Sequence, residues 1–231
     1  MIGKAFKVTW QALKDTWGDL FLLAVVNFLW FLIGFSGLFI ASVARVMAPI
    51  LLSVITFPVA TAAMYPIAYS VARGKTFHIS DFWDGIKTYW WRGIIWFLAN
   101  ILAGVLWWVN LNFYTQLIQS AWVILIGGFW TSLFGLWLMT QLHFWPMLIV
   151  QEEPKIVRAW RNSAILAMRY PIYTILVGLI GLLLIVLCSV LVAPLFLFLM
   201  ALIAILFSNA TLTLLVEAGT IEGDYRPDYT R

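Results

Sequence analysis

Charged positions divide the chain into a few long apolar pieces. No charge occurs from Leu20 to Ala44 or from Val46 to Ala72; Gly93–Gln151 runs 59 residues without one, and Tyr170–Val216 runs 47. A spanning helix needs about 20 apolar residues. The first two pieces therefore hold one span each and the last two hold two each. Asn110, Asn112, Gln116, Gln119 and Ser120 place a turn inside the third piece, and Ser189–Pro194 places one inside the fourth. The expected spans are 21–42, 49–71, 93–112, 121–149, 171–190 and 193–215. The runs lack the two-residue alternation of an outer-membrane barrel. The expected fold is thus all-α: a polytopic integral membrane protein, 1–231 forming one six-helix membrane domain.

Three flanking segments carry a different pattern. Phe6, Trp10, Leu13 and Trp17 recur at three- and four-residue steps, one face of a helix over residues 1–19. Phe82–Arg92 contains Trp83, Trp90, Trp91 and Arg92, and Ile156–Tyr170 contains Arg158, Trp160 and Arg161. Such short amphipathic helices lie at lipid headgroups on the cytoplasmic side. Two readings stay open: three repeats of interfacial helix plus hairpin, or independent flanks that each attract Trp and Lys.

Composition turns this into a statement about solvent. The chain of 231 residues is 64% apolar and 10% charged, far from soluble norms. A soluble enzyme or nucleic-acid binder is excluded, and nucleic acid is not an expected partner. The net charge of +4 reads as orientation instead. Of the 14 basic residues only Arg45 falls on the opposite side, so both termini and the tail 216–231 are expected in the cytoplasm. Ser42-Val43-Ala44 resembles a cleavage site, but the 25-residue apolar run before it exceeds a secretion signal's core, so the first helix is expected to stay uncleaved. Anionic headgroups are the expected lipid contact, and a membrane-protein partner or a homo-oligomer the expected protein contact. Trp10, Trp17, Phe82, Trp83, Trp91, Arg92, Arg158, Trp160 and Arg161 are the candidate interfacial or partner-contact residues.

Short motifs then point to a family. Asn27-Phe28-Leu29-Trp30, Phe57-Pro58-Val59-Ala60-Thr61-Ala62-Ala63-Met64-Tyr65 and Asp81-Phe82 resemble the YesL-like family of small bacterial integral membrane proteins, over roughly the first 100 residues. The resemblance implies a bacterial cytoplasmic-membrane protein of unestablished activity. Such proteins often accompany carbohydrate-uptake systems, which implies an accessory role near a transporter.

Chemistry-bearing residues are few. The assigned spans contain no Asp, Glu, Lys or Arg, which removes the groups a proton pump or voltage sensor requires. His143 is a lone candidate for holding a haem or chlorin; a hydrogen-bonded helix contact is the competing reading. With one cysteine and two histidines, no metal site is expected, and no cofactor either. No Ser-His-Asp order, P-loop or zinc-protease pattern is present, so no catalytic residue is assigned. Asn27 and Asn100 are intramembrane amides suited to bonding between helices. Pro49, Pro58 and Pro66 should kink or break the second span, and with Thr56 and Thr61 they make the best pointer to a substrate path.

Three functions follow from these residues. The leading one is a non-enzymatic accessory or scaffold protein. The second is a small-solute permease with a cavity lined by Asn27, Thr56, Pro58, Thr61 and Asn100. The third is a membrane enzyme acting on lipid through Asp81, Asp84, Glu152 and Glu153 beside His78.

Overall fold

The computed structural model describes residues 1–45, 47–117 and 122–221, and every element among them is a helix. In order these are α1 (Ile2–Gly18), α2 (Leu20–Gly34), α3 (Ser36–Ala44), α4 (Ile50–Ala72), α5 (Ser80–Leu117), α6 (Trp122–Val150), α7 (Ile156–Arg169), α8 (Pro171–Leu191), α9 (Ala193–Leu197) and α10 (Leu199–Glu217). Five of them, α4, α5, α6, α8 and α10, are long and apolar enough to cross a membrane. Counting the bent pair α1 and α2 as one makes six.

α4 and α10 form the centre. Small side chains let other helices approach α4: Ala60, Ala62, Ala63 and Ala68 are all but inaccessible. α5 presses on this face through Gly85 and Gly93. A methyl group added at Gly93 would meet the Pro58 carbonyl oxygen at 2.5 Å, so only glycine permits that distance. α2 and α6 pack on α4 from other sides, and α10 contacts α1, α4, α6 and α8.

Several boundaries differ from expectation. The first span, expected at 21–42, is two helices broken at Phe35. α4 accommodates the break. Ser53 Oγ accepts from the Leu38 amide at 3.2 Å, while Thr56 Oγ1 donates to the Gly34 carbonyl at 3.2 Å. Gly37 lies against the Pro49 carbonyl, where a side chain would not fit. α4 itself continues as one helix through Pro58 and Pro66, so of the expected kink or break there is no break. The last span starts at Leu199 rather than 193, because Val192 has φ 59° and Phe198 ends the five-residue α9. The tail from 222 onward lies outside the described residues.

The amphipathic segments are not three copies of one unit. α1 meets α2 at 93°. Residues 82–92 instead continue into the following span as one 38-residue helix, about 57 Å long at 1.5 Å per residue. α7 is separate because Tyr170 precedes Pro171, which occupies the first turn of α8 and disfavours helical backbone before it. No comparable breaker stands between Arg92 and Gly93.

Candidate functional site

The candidate site is a set of polar side chains inside the helical core. Asn27 is fully buried. Its Nδ2 donates to the carbonyls of Phe196 at 2.8 Å and Leu195 at 3.3 Å; its Oδ1 accepts from the amides of Met200 at 2.8 Å and Ala201 at 3.2 Å. Helix ends leave amides and carbonyls without intrahelical partners. One side-chain amide therefore caps both sides of the α9–α10 break from 168 to 174 residues away in sequence.

Nearby, the Trp30 indole donates to Thr61 Oγ1 at 3.0 Å. This bond joins the first two motifs of the family resemblance. Phe82, the end of the third, is completely buried, which corrects its expected role as an interfacial contact. Thr56 bonds Ser36, Gly34 and Leu52.

A second cluster joins α5 to α6. Trp96 Nε1 donates to Gln141 Oε1 at 2.9 Å, Trp137 Nε1 donates to Asn100 Oδ1 at 3.0 Å, and Asn100 Nδ2 donates to the Trp96 carbonyl at 2.8 Å and to Gln141 Oε1 at 3.3 Å. Asn27, Thr56, Thr61 and Asn100 thus bond to protein neighbours in separate packed clusters. Pro58, expected to line a cavity with them, is buried against α5.

His143 is fully buried, with Nδ1 2.8 Å from Thr211 Oγ1 and Nε2 3.1 Å from Thr174 Oγ1. Each ring nitrogen thus has a threonine hydroxyl within hydrogen-bond distance, the helix contact that competes with the haem or chlorin reading. Each threonine hydroxyl also lies near the carbonyl four residues back, Phe207 at 2.8 Å and Tyr170 at 3.1 Å. A neutral imidazole has one N–H and one lone pair. The ring N–H can donate to Thr211 Oγ1, while the other nitrogen gains a donor only when Thr174 turns its single hydroxyl proton from the Tyr170 carbonyl to the ring. The ring ties α6 to α8 and α10.

A half-buried carboxylate also reaches the edge of the core. Asn209, fully buried near the middle of α10, donates to Asp15 Oδ2 at 3.0 Å, and Gln11 donates to Asp15 Oδ1 at 2.9 Å. Lys4 pairs with Glu217 at 2.9 Å. From Lys4 to Asp15, α1 therefore rises beside α10 by the eight residues between Glu217 and Asn209, about 12 Å. α1 docks through Ala5, Val8, Ala12 and Thr16 and turns its aromatic face outward, with Trp10 60% and Trp17 76% exposed. Asn209 was legible as a third amide in an apolar run. Its carboxylate partner was not, because Asp15 belongs to a segment that reads as surface.

The remaining candidates divide. Trp83, Trp91, Arg158 and Arg161 are exposed, and the Arg92 guanidinium stacks 4.6 Å from the Trp91 ring. Trp160 packs inward instead, 5.0 Å from Phe144 and 5.7 Å from Trp137, a correction to its expected outward role. Three of the four acids proposed for catalysis have local duties, while Glu152 is exposed. Asp81 accepts from the His78 amide, Asp84 pairs with Lys87, and Glu153 pairs with Lys155. Among the described residues no three His, Cys, Asp or Glu side chains gather as a metal site. No family model, no curated protein and no solved structure matches this chain.

Proposed function

We propose that this chain is a multi-pass protein of the bacterial cytoplasmic membrane, with both termini in the cytoplasm, that serves as an accessory or scaffold subunit of a larger membrane assembly. The YesL-like resemblance belongs to the same reading. One observation carries it. The most apolar eighteen-residue stretch of α5 has no buried residue, and α6 has almost none, whereas the same stretch of α10 is 78% buried. The two longest helices are thus built as a hairpin whose outward faces this chain leaves uncovered. Exposed Leu102, Val105, Trp108, Phe129, Leu133 and Leu136 supply the apolar surface. Inside, the polar side chains proposed for a permease or a haem site are committed to helix-to-helix bonds.

Photo-crosslinking in native membranes tests this. A crosslinking residue at Leu102, Val105 or Leu136 should join the chain to one larger membrane protein, and the same residue at Phe21 should not. Lipid adducts alone at all three hairpin positions would overturn the accessory role.

A further inference from the structure

We propose that the cytoplasmic ends of α6, α7 and α10 form a discrete site for one anionic phospholipid, with an acyl chain in the cavity and the phosphate on Arg169. The inference rests on the membrane placement above and is independent of the accessory role.

The cavity measures about 400 Å³ and is lined by Met147, Val150, Leu166 and Leu215, with Asn162 and Arg169 at its edge. That volume falls in the range of ordinary ligand pockets, mostly apolar with a few orienting polar groups. It lies where α6 ends at Val150 and α10 at Glu217, the level at which hydrocarbon gives way to headgroups under the proposed orientation. α7 supplies the recognition face. Arg158, Asn162, Ile165 and Arg169 follow one another at four-, three- and four-residue steps, which aligns them along one side of the helix.

Charge favours a phosphate over a neutral headgroup. Arg158, Arg161 and Arg169 make no ion pair among the described residues, whereas Lys4, Lys87 and Lys155 each do. The Arg169 guanidinium instead lies 5.5 Å from the Tyr170 ring. That stacking holds its plane while leaving donors for an oxyanion. Of the other edge groups, Gln151 is spent on the Met147 carbonyl and the Lys155 amide, and the Asn162 side chain makes no hydrogen bond among the described residues. An apolar recess lined in part by a guanidinium with no ion pair among the described residues matches an acyl chain attached to a phosphodiester.

Native mass spectrometry of the delipidated full chain, titrated with phosphatidylglycerol or phosphatidylcholine, tests the site. The first phosphatidylglycerol should bind about tenfold tighter than phosphatidylcholine, and Arg169→Gln should abolish that preference. Ile165→Trp, at an exposed edge position where folding is not at stake, should weaken both lipids by obstructing the recess. Lys75→Gln, equal in charge loss but distant in the chain, should change neither by more than about twofold. Equal affinity for the two lipids would overturn the proposal, as would an equal loss from Lys75→Gln and Arg169→Gln, which would mean diffuse attraction. Displacement by inorganic phosphate at constant ionic strength would reduce the site to an anion site. Phosphatidylglycerol binding strengthened about tenfold by deleting 222–231 would assign the recess to the chain's own tail.

Discussion

α10 and the α5–α6 hairpin are similar in hydropathy and opposite in environment. α10 is surrounded by α1, α4, α6 and α8, and its polar residues Asn209 and Thr211 each bond another helix. The outer part of the hairpin holds together through the stacked Trp107 and Phe134 rings at 4.9 Å and a long bond from Trp107 to Thr131. Its amides at Asn110 and Asn112 fold back on carbonyls of their own helix. Polar groups near α10 tie it to several other helices; on the outer hairpin the bonds described run within α5 or from α5 to α6. Apolar content alone therefore does not distinguish a helix that forms the core from one that offers a surface.

The largest break in that contrast should come from Asn27. Asn27→Leu leaves two carbonyls and two amides at the α9–α10 break without their partner. Unmet buried groups cost about 1–3 kcal/mol each, while interhelical bonds in membranes average nearer 0.6 kcal/mol, so a loss of about 2–4 kcal/mol is expected. Denaturant titration in mixed micelles should show it. A loss below that of Thr61→Ala would mean that the break is held by packing alone.

Gly93→Leu comes next. Its first carbon overlaps the Pro58 backbone, which cannot rotate away as a side chain would. Overpacking of this kind costs about 1–3 kcal/mol. The readout is the same titration, together with slower migration of a partly unfolded species. Thr61→Ala, which strands the buried Trp30 indole N–H, should cost about 0.5–2 kcal/mol.

How far these contrasts can be read from residues depends on where the partners lie. The apolar runs specify α4, α6, α8 and the body of α10 because each is continuous and chain-local. Tyr170 before Pro171 marks the α7–α8 break for the same reason. The α2–α3 break is different: the groups that make it tolerable are Ser53 and Thr56 on another helix. Asn27 is visible as an amide in an apolar run, yet its four bonds go to residues 195–201, which no periodicity connects to it. Asp15 fails for the converse reason, since it stands among Lys14 and Trp17 and only the docking of α1 on α10 brings it to Asn209. Phe82 and Trp160 share the composition of exposed neighbours, and helix rotation alone decides which ring turns inward.

The smallest expected effect sharpens the comparison most. Gly104 lies on the same helix as Gly93, eleven residues along, and a side chain built there meets nothing within 4 Å. Gly104→Leu should leave the stability of the isolated chain within about 0.5 kcal/mol, the range of substitutions that touch nothing. One helix would then carry two identical substitutions, one in the core and one on the offered face. In native membranes the outcomes should reverse. If a partner covers the hairpin, Gly104→Leu should lower crosslinking from Leu102 and Val105 while the isolated protein unfolds as before. Unchanged crosslinking together with unchanged stability would place Gly104 against lipid, and the contacted face would have to lie on the other side of α5.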